Sequence, residues 1–391
     1  VDEEEGILLS AGQALYDYNT MWKLLEENYP YFDVIKEELG ISSRVVKTRY
    51  RAKLVELADD GYISQEAFIN TITDCLNEFQ MVGHLYVISP AFRDHLKDSL
   101  PNSKGVLYTN LLKILNNPVT DHFYQCWNHI EEKASPSFPI HKDTAGDAGI
   151  ITTGTVEEIP YLKIASFLGW TDETYSTVRD FLLEIGDAEN LIIDIQGNGG
   201  GASSAWCWGI VPRLITENTS FWMLLGMKTG KSNLALTQGS AGYWSNFQIY
   251  ENEEWQKDFP YVGTERMRGM DLLMKATQVI PLNEETKNHF SGKIWVLIDE
   301  RNYSAADQFA YFCKETGFAT LVGATTGGNG IGLQPYIMAL PYSGLLIYYE
   351  PFLSFNLDGT CNGIVGTTPD IAPSTGQTAL EACVAAIQKE K

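Results

Sequence analysis

From Tyr161 onward the chain alternates short apolar runs with longer amphipathic ones, and that rhythm restricts it to a layered α/β architecture. The apolar runs are YLKIASF (161 to 167), LIIDI (191 to 195), KIWVLID (293 to 299) and ATLVG (319 to 323). LIIDI and KIWVLID have the pattern of strands buried on both faces. Between the runs, residues 172 to 187, 202 to 215 and 304 to 316 read as helices. Two later strands, QPYIMAL (334 to 340) and GLLIYYEPF (344 to 352), are joined by a turn over Pro341 to Gly344, and a helix over 377 to 389 closes the chain.

The first ninety residues follow a different period. Leu15, Tyr18, Trp22, Leu25 and Tyr29 recur at spacings of three and four, Ser10 and Gln13 offer a capping box ahead of them, and Pro30 ends the helix. Helices over 43 to 57 and 64 to 79 follow, the latter with Phe68, Ile72, Leu76 and Phe79 on one side. Gly83 then breaks the pattern before the strand-like LYVI (85 to 88). The expected organisation is a helical region over 1 to 90, a connecting region over 91 to 160 and an α/β core over 161 to 391. Prolines at 90, 101, 118, 136 and 139 leave the connecting region without a readable pattern, and DTAGDAG (143 to 149) reads as loop.

Composition narrows the function. A hydrophobic fraction of 44% supports a folded core, and a net charge of -22 repels phosphate backbones and anionic lipid, so no nucleic-acid partner is expected. No stretch approaches the roughly 18 consecutive apolar residues that span a bilayer. The start at Val1 reads as a mature or trimmed chain. The six cysteines lack CxxC or zinc spacing and read mainly as small buried hydrophobes. Neither a metal nor another cofactor is expected.

Two strand ends could do chemistry. In IWVLIDERNYSAADQFAYFC a strand gives way to a polar turn, and Ser304 opens a helix. Its hydroxyl would lie at the strand's carboxyl end, beside the free amide of Ala305 at a helix N-terminus. Ser304 through Asp307 is also [ST]-x-x-[DE], an ordinary capping box. In LIIDIQGNGGGASSAWCW a buried strand runs into Gly197, Asn198, Gly199, Gly200 and Gly201, where bare backbone can approach a ligand and present its amides. A serine nucleophile needs a base. Of six histidines, His84 stands out because it follows the break at Gly83 and precedes a strand.

LIIDIQGNGGG, then NYSAADQFA, LVGATTGGNGIG and GTTPDI, in this order, resemble the tail-specific or carboxy-terminal processing serine peptidases and their relatives, the tricorn protease core and the interphotoreceptor retinoid-binding proteins. The resemblance covers roughly 161 to 391, with a weaker echo ending at MVGHLYV. It implies a crotonase-like α/β core of stacked βα units, with Ser304 as nucleophile and the amides of Ala305 and of Gly199 or Gly200 as oxyanion donors. One branch uses a lysine base where this chain has Asn329. The tricorn-like branch uses a histidine, matched here by His84, oriented by a glutamate where this chain has Asn362 and Gly363. Asp358, Glu350 or Asn362 could substitute, with Asp358 ranked first.

The same resemblance implies a peptide or unfolded-protein substrate and an envelope, periplasmic or secreted location, while residues 91 to 160 show no convincing PDZ module. Rival readings are a binding protein with a degraded site and an acyl-CoA enzyme, the latter disfavoured by the acidic chain. GGNGIG (327 to 332) imitates a dinucleotide fingerprint, but the strand-like run after it does not fit that geometry. The acidic start DEEEG reads as a solvated terminus.

Overall fold

The computed structural model describes residues 6–133, 149–237, 244–245, 247–285 and 290–390. The run at 143 to 148 and the acidic start at 2 to 5 lie outside them. The chain forms two compact units, one of residues 1–140, 225–274 and 332–353, the other of residues 141–224, 275–331 and 354–391. The fold is mixed α/β, with a helical amino-terminal region and several sheets.

In the first unit, helix Ala11–Asn28 starts at the expected capping box: Ser10 Oγ accepts the Gln13 amide at 3.2 Å, and Gln13 Oε1 accepts the Ser10 amide at 3.0 Å. Its buried face, including Tyr18, Trp22 and Leu25, meets an aromatic cluster. Trp22 stacks on Phe32 at 5.7 Å, and Phe79 packs against both. The region that showed no pattern is helical over Pro90–Ser99, Val106–Leu115 and Pro118–Lys133. Pro90 and Pro118 open helices here, because a first-turn residue needs no amide donor.

An antiparallel sheet in the order Tyr336–Ala339, Leu346–Tyr349, Tyr86–Val87 completes this unit. Its 341 to 344 turn is fixed by the buried Asp17 carboxylate. That group accepts the amides of Tyr342 (2.9 Å) and Ser343 (2.7 Å) and the Ser343 hydroxyl (2.6 Å). Burial pushes the Asp17 carboxyl up, while these donors oppose the shift.

The second unit is built on a five-stranded sheet in the order Thr320–Gly323, Lys293–Ile298, Asn190–Asp194, Ile159–Ile164, Ile151–Val156. The first four strands are parallel and the last is antiparallel. Ile192, Trp295, Leu297 and Val322 pack beneath the closing helix Ala379–Glu390 through Ala382, Cys383 and Ile387. The helix expected over 202 to 215 covers only Ser204–Gly209, because Pro212 lacks the amide to continue it and one 3-10 turn follows. Strands Thr219–Met227 and Leu272–Ile280, unforeseen in the sequence, carry the chain between the units. All six cysteines are buried and unbridged. Among the described residues no helix is long and apolar enough to cross a membrane.

Candidate active site

Two loops leave the carboxyl ends of the adjacent parallel strands Asn190–Asp194 and Lys293–Ile298, where open α/β sheets place their ligands. Two buried asparagines tie the loops together. Asn302 Nδ2 donates to the carbonyls of Ile195 and, at 3.2 Å, Asn198, and its Oδ1 accepts the Asp299 amide at 2.7 Å. Asn198 Nδ2 donates to the Ile164 carbonyl at 3.2 Å, and its Oδ1 accepts the Gly200 amide at 2.9 Å. The Gly200 N–H is therefore occupied, whereas the N–H groups of Gly199 and Ala305 have no hydrogen-bond partner among the described residues. Gly200, at φ +106°, lies against the serine: a Cβ there would come within 3.0 Å of Ser304 Cβ and 2.6 Å of the Tyr303 carbonyl.

Ser304 adopts φ +56° and ψ -124°, a conformation that costs an L-residue about 1–3 kcal/mol and persists only where the surroundings impose it. The surroundings here are the loop 326 to 331, whose Gly328 carbonyl accepts the Ser304 amide at 3.0 Å. Asp307, fully buried in the first turn of helix Ala305–Thr316, holds that loop in turn. Its carboxylate accepts the Thr326 hydroxyl and, at 2.9 Å, the Gly330 amide. Burial pushes the Asp307 carboxyl up, against the pull of these donors.

The capping box is thus not formed. Ser304 makes no side-chain cap bond, and the Asp307 carboxylate clamps the neighbouring loop instead. Near the other end of the same helix, Glu315 Oε1 accepts the Trp222 amide at 3.3 Å, and burial pushes its carboxyl up to about 7. The GGNGIG stretch runs through loop into strand Tyr336–Ala339, so no phosphate-binding helix follows it.

His84 belongs to the first unit and ends a strained segment in which Gln80, Met81, Gly83 and His84 all have positive φ. Tyr29 donates to the Val82 carbonyl at 2.5 Å, and the Glu350 amide donates to the Gly83 carbonyl at 2.6 Å. Gly83 is required there, since a Cβ would come within 2.6 Å of the Tyr31 ring. The His84 ring meets Tyr348 edge to face at 6.1 Å, and burial lowers its pKa to about 3.

The three acceptors considered as orienting groups differ in environment. Glu350, in the same unit as His84, is buried, and desolvation holds its carboxyl well above the ordinary range. Asp358, in the second unit, is exposed and accepts the Thr360 amide (3.0 Å) and hydroxyl (2.6 Å) on one oxygen. Asn362 is buried and committed at both ends. Its Oδ1 accepts the amides of Gly330 (3.0 Å) and Ile331 (3.2 Å), and its Nδ2 donates to Asn356 at 3.0 Å.

The sequence profile of peptidase family S41 matches residues 158–372, more than half of the chain and both loops. The chain belongs to peptidase family S41. S41 is a family of serine peptidases, and membership supports a hydrolase of that class.

Solved structures of similar fold include a candidate peptidase from Parabacteroides merdae, with 16% identity, 97% of this chain and 96% of the other covered, and a TM-score of 0.56. Mature CPAF complexed with lactacystin matches at 13% identity, 97% of each chain and a TM-score of 0.60. A lipoprotein from Streptococcus agalactiae matches at 13% identity, 97% of each chain and a TM-score of 0.50. At these identities the likeness is one of fold. Among curated proteins none matches this S41 chain.

Within the second unit, Ser304, Ala305, Gly199 and Gly200 come together. Sequence reasoning missed Asn198, Asn302 and the clamping role of Asp307. Two polar residues following buried strands were the only signal for the asparagines, and Asp307 was disguised by its capping spacing.

Proposed function

We propose that the protein is a serine endopeptidase of the tail-specific, Ser/His kind, working through an acyl-enzyme. The observation that carries this reading is Ser304, held in a strained conformation beside a glycine loop, with the unspent amides of Ala305 and Gly199 close by. Ser304 attacks the scissile carbonyl, and those two amides receive the oxyanion; Gly200 shapes the approach, its own amide being bound to Asn198. His84 takes the proton from Ser304 and returns it to the leaving amine. Burial lowers its pKa to about 3, which keeps the imidazole neutral at neutral pH but weakens it as a base, so accepting the proton requires an orienting group that stabilises the imidazolium.

For the orienting acid we favour Glu350 over Asp358. Glu350 is one backbone hydrogen bond from the residue preceding His84, while Asp358 already serves its own turn. Asn362 has no capacity left for an imidazole. The substrates are peptides or unfolded protein segments, and the likeness to a lipoprotein supports an envelope location.

The test is Ser304→Ala. It is expected to abolish both peptide cleavage and fluorophosphonate labelling while leaving thermal stability almost unchanged. Cleavage at the wild-type rate in that variant would end the proposal. A wild type that never labels would favour a binding protein on the same fold.

A further inference from the structure

Arg301 is an exposed cation that the reading above leaves unused. The buried Asp299 carboxylate fixes it: Oδ2 accepts Arg301 Nε at 3.0 Å and Nη2 at 2.6 Å, while Oδ1 accepts the amides of Arg301 (3.1 Å) and Gly197 (2.9 Å). One acid therefore holds both the arginine and the start of the glycine loop. The guanidinium lies over that loop, since a Cβ on Gly197 would meet Nη2 at 3.3 Å and Nη1 at 3.6 Å. Nη1 takes no part in the fork, and the side chain is 67% exposed.

A surface arginine ordinarily gives up rotamer freedom when it captures a ligand, whereas here the planar fork has already fixed it. Asp194, a second carboxylate acting on Arg301, is engaged by Lys163 at 3.0 Å and Tyr161 at 2.5 Å. Glu300 is the remaining acid acting on it and points to solvent.

The two loops run side by side, with Arg301 over Gly197 and Ser304 against Gly200. We propose that Arg301 is a specificity-determining residue that receives an acidic side chain of the peptide substrate near the bond attacked by Ser304. This rests on the peptidase reading and adds to it a substrate class: peptides carrying an acidic side chain near the scissile bond.

The experiment uses the full chain and matched peptides with Glu, Gln or Lys at each position around the cleaved bond, each as free acid and as carboxy-terminal amide. The wild type is expected to favour Glu over Gln in kcat/KM at one position about three- to tenfold, mainly through KM, as for one solvent-accessible charge-assisted contact. Amidation is expected to leave that ratio unchanged, and a preference that depends on the free terminal carboxylate instead overturns the proposal. In Arg301→Gln the ratio falls to about one, and Arg301→Lys, which keeps the charge but loses the fork, falls between. Labelling by an uncharged fluorophosphonate reports whether each variant still presents Ser304.

A wild type that cleaves all the peptides alike, or an unchanged ratio in Arg301→Gln, overturns the proposal and leaves the peptidase reading standing. A wild type that neither labels nor cleaves removes both.

Discussion

Glu315 gives a pH dependence that a single substitution isolates. Its carboxyl is withdrawn from water near the end of helix Ala305–Thr316, where desolvation outweighs the Trp222 amide and raises its pKa from 4.5 to about 7. A folded-state pKa above the unfolded one means that the native state holds the proton more tightly. The resulting stabilisation is complete below about pH 4.5 and is lost as pH rises to about 7. At about 1.4 kcal/mol per unit the loss approaches about 3 kcal/mol, and partial solvent access brings it nearer to about 1–2 kcal/mol. Glu315→Gln keeps the shape and cannot ionise. Thermal unfolding followed by tryptophan fluorescence at pH 5 and pH 8 should therefore show the wild type losing about 1–3 °C relative to the variant as pH rises. Melting temperatures that move in parallel would refute the account, because every other titrating group is common to both proteins.

Two further outcomes follow from the site. His84, at a pKa of about 3, stays neutral well below the ordinary histidine range, so kcat/KM should remain flat from pH 8 down to about pH 5; an acid limb centred near pH 6.5 would show that its burial does not control the base. Asp307→Ala leaves the Thr326 hydroxyl without its acceptor and the Gly330 amide to Asn362 alone, costs about 1–3 kcal/mol and should slow fluorophosphonate labelling of Ser304. A fall in melting temperature with labelling at the wild-type rate would mean that the clamp does not position the serine.

What could be read in the sequence was what local chemistry dictates. Ser10 and Gln13 announce their helix because the capping box is complete within four residues. The strand Asn190–Asp194 is evident because both its faces are apolar. Elsewhere one residue type served two ends. Pro90 and Pro118 read as breaks, yet a proline at a helix start and one after a helix look alike until the cap is known; the hints are Ser89 and Asn117, whose side-chain oxygens accept the Phe92 and Val119 amides. The hairpin joining Ile151–Val156 to Ile159–Ile164 turns through Glu157 and Glu158 at positive φ, with none of the Asn or Gly that marks such turns.

The serine loop failed for a different reason. Ser304 to Asp307 satisfies a capping rule in sequence, but the carboxylate goes to Thr326 and Gly330, partners nineteen and twenty-three positions away. No local spacing records a bond of that range.

Asn362 has made itself hard to replace. Its carboxamide oxygen anchors two successive amides while its nitrogen faces another carboxamide, so it works as a rivet in the backbone beside the serine. A glutamate substituted there would lose the donor and overreach the two amides, and the loop supporting the Ser304 conformation would loosen with it. Placing an acid at that point of the chain would therefore demand a rebuilt loop, which makes Asn362 a commitment of the fold.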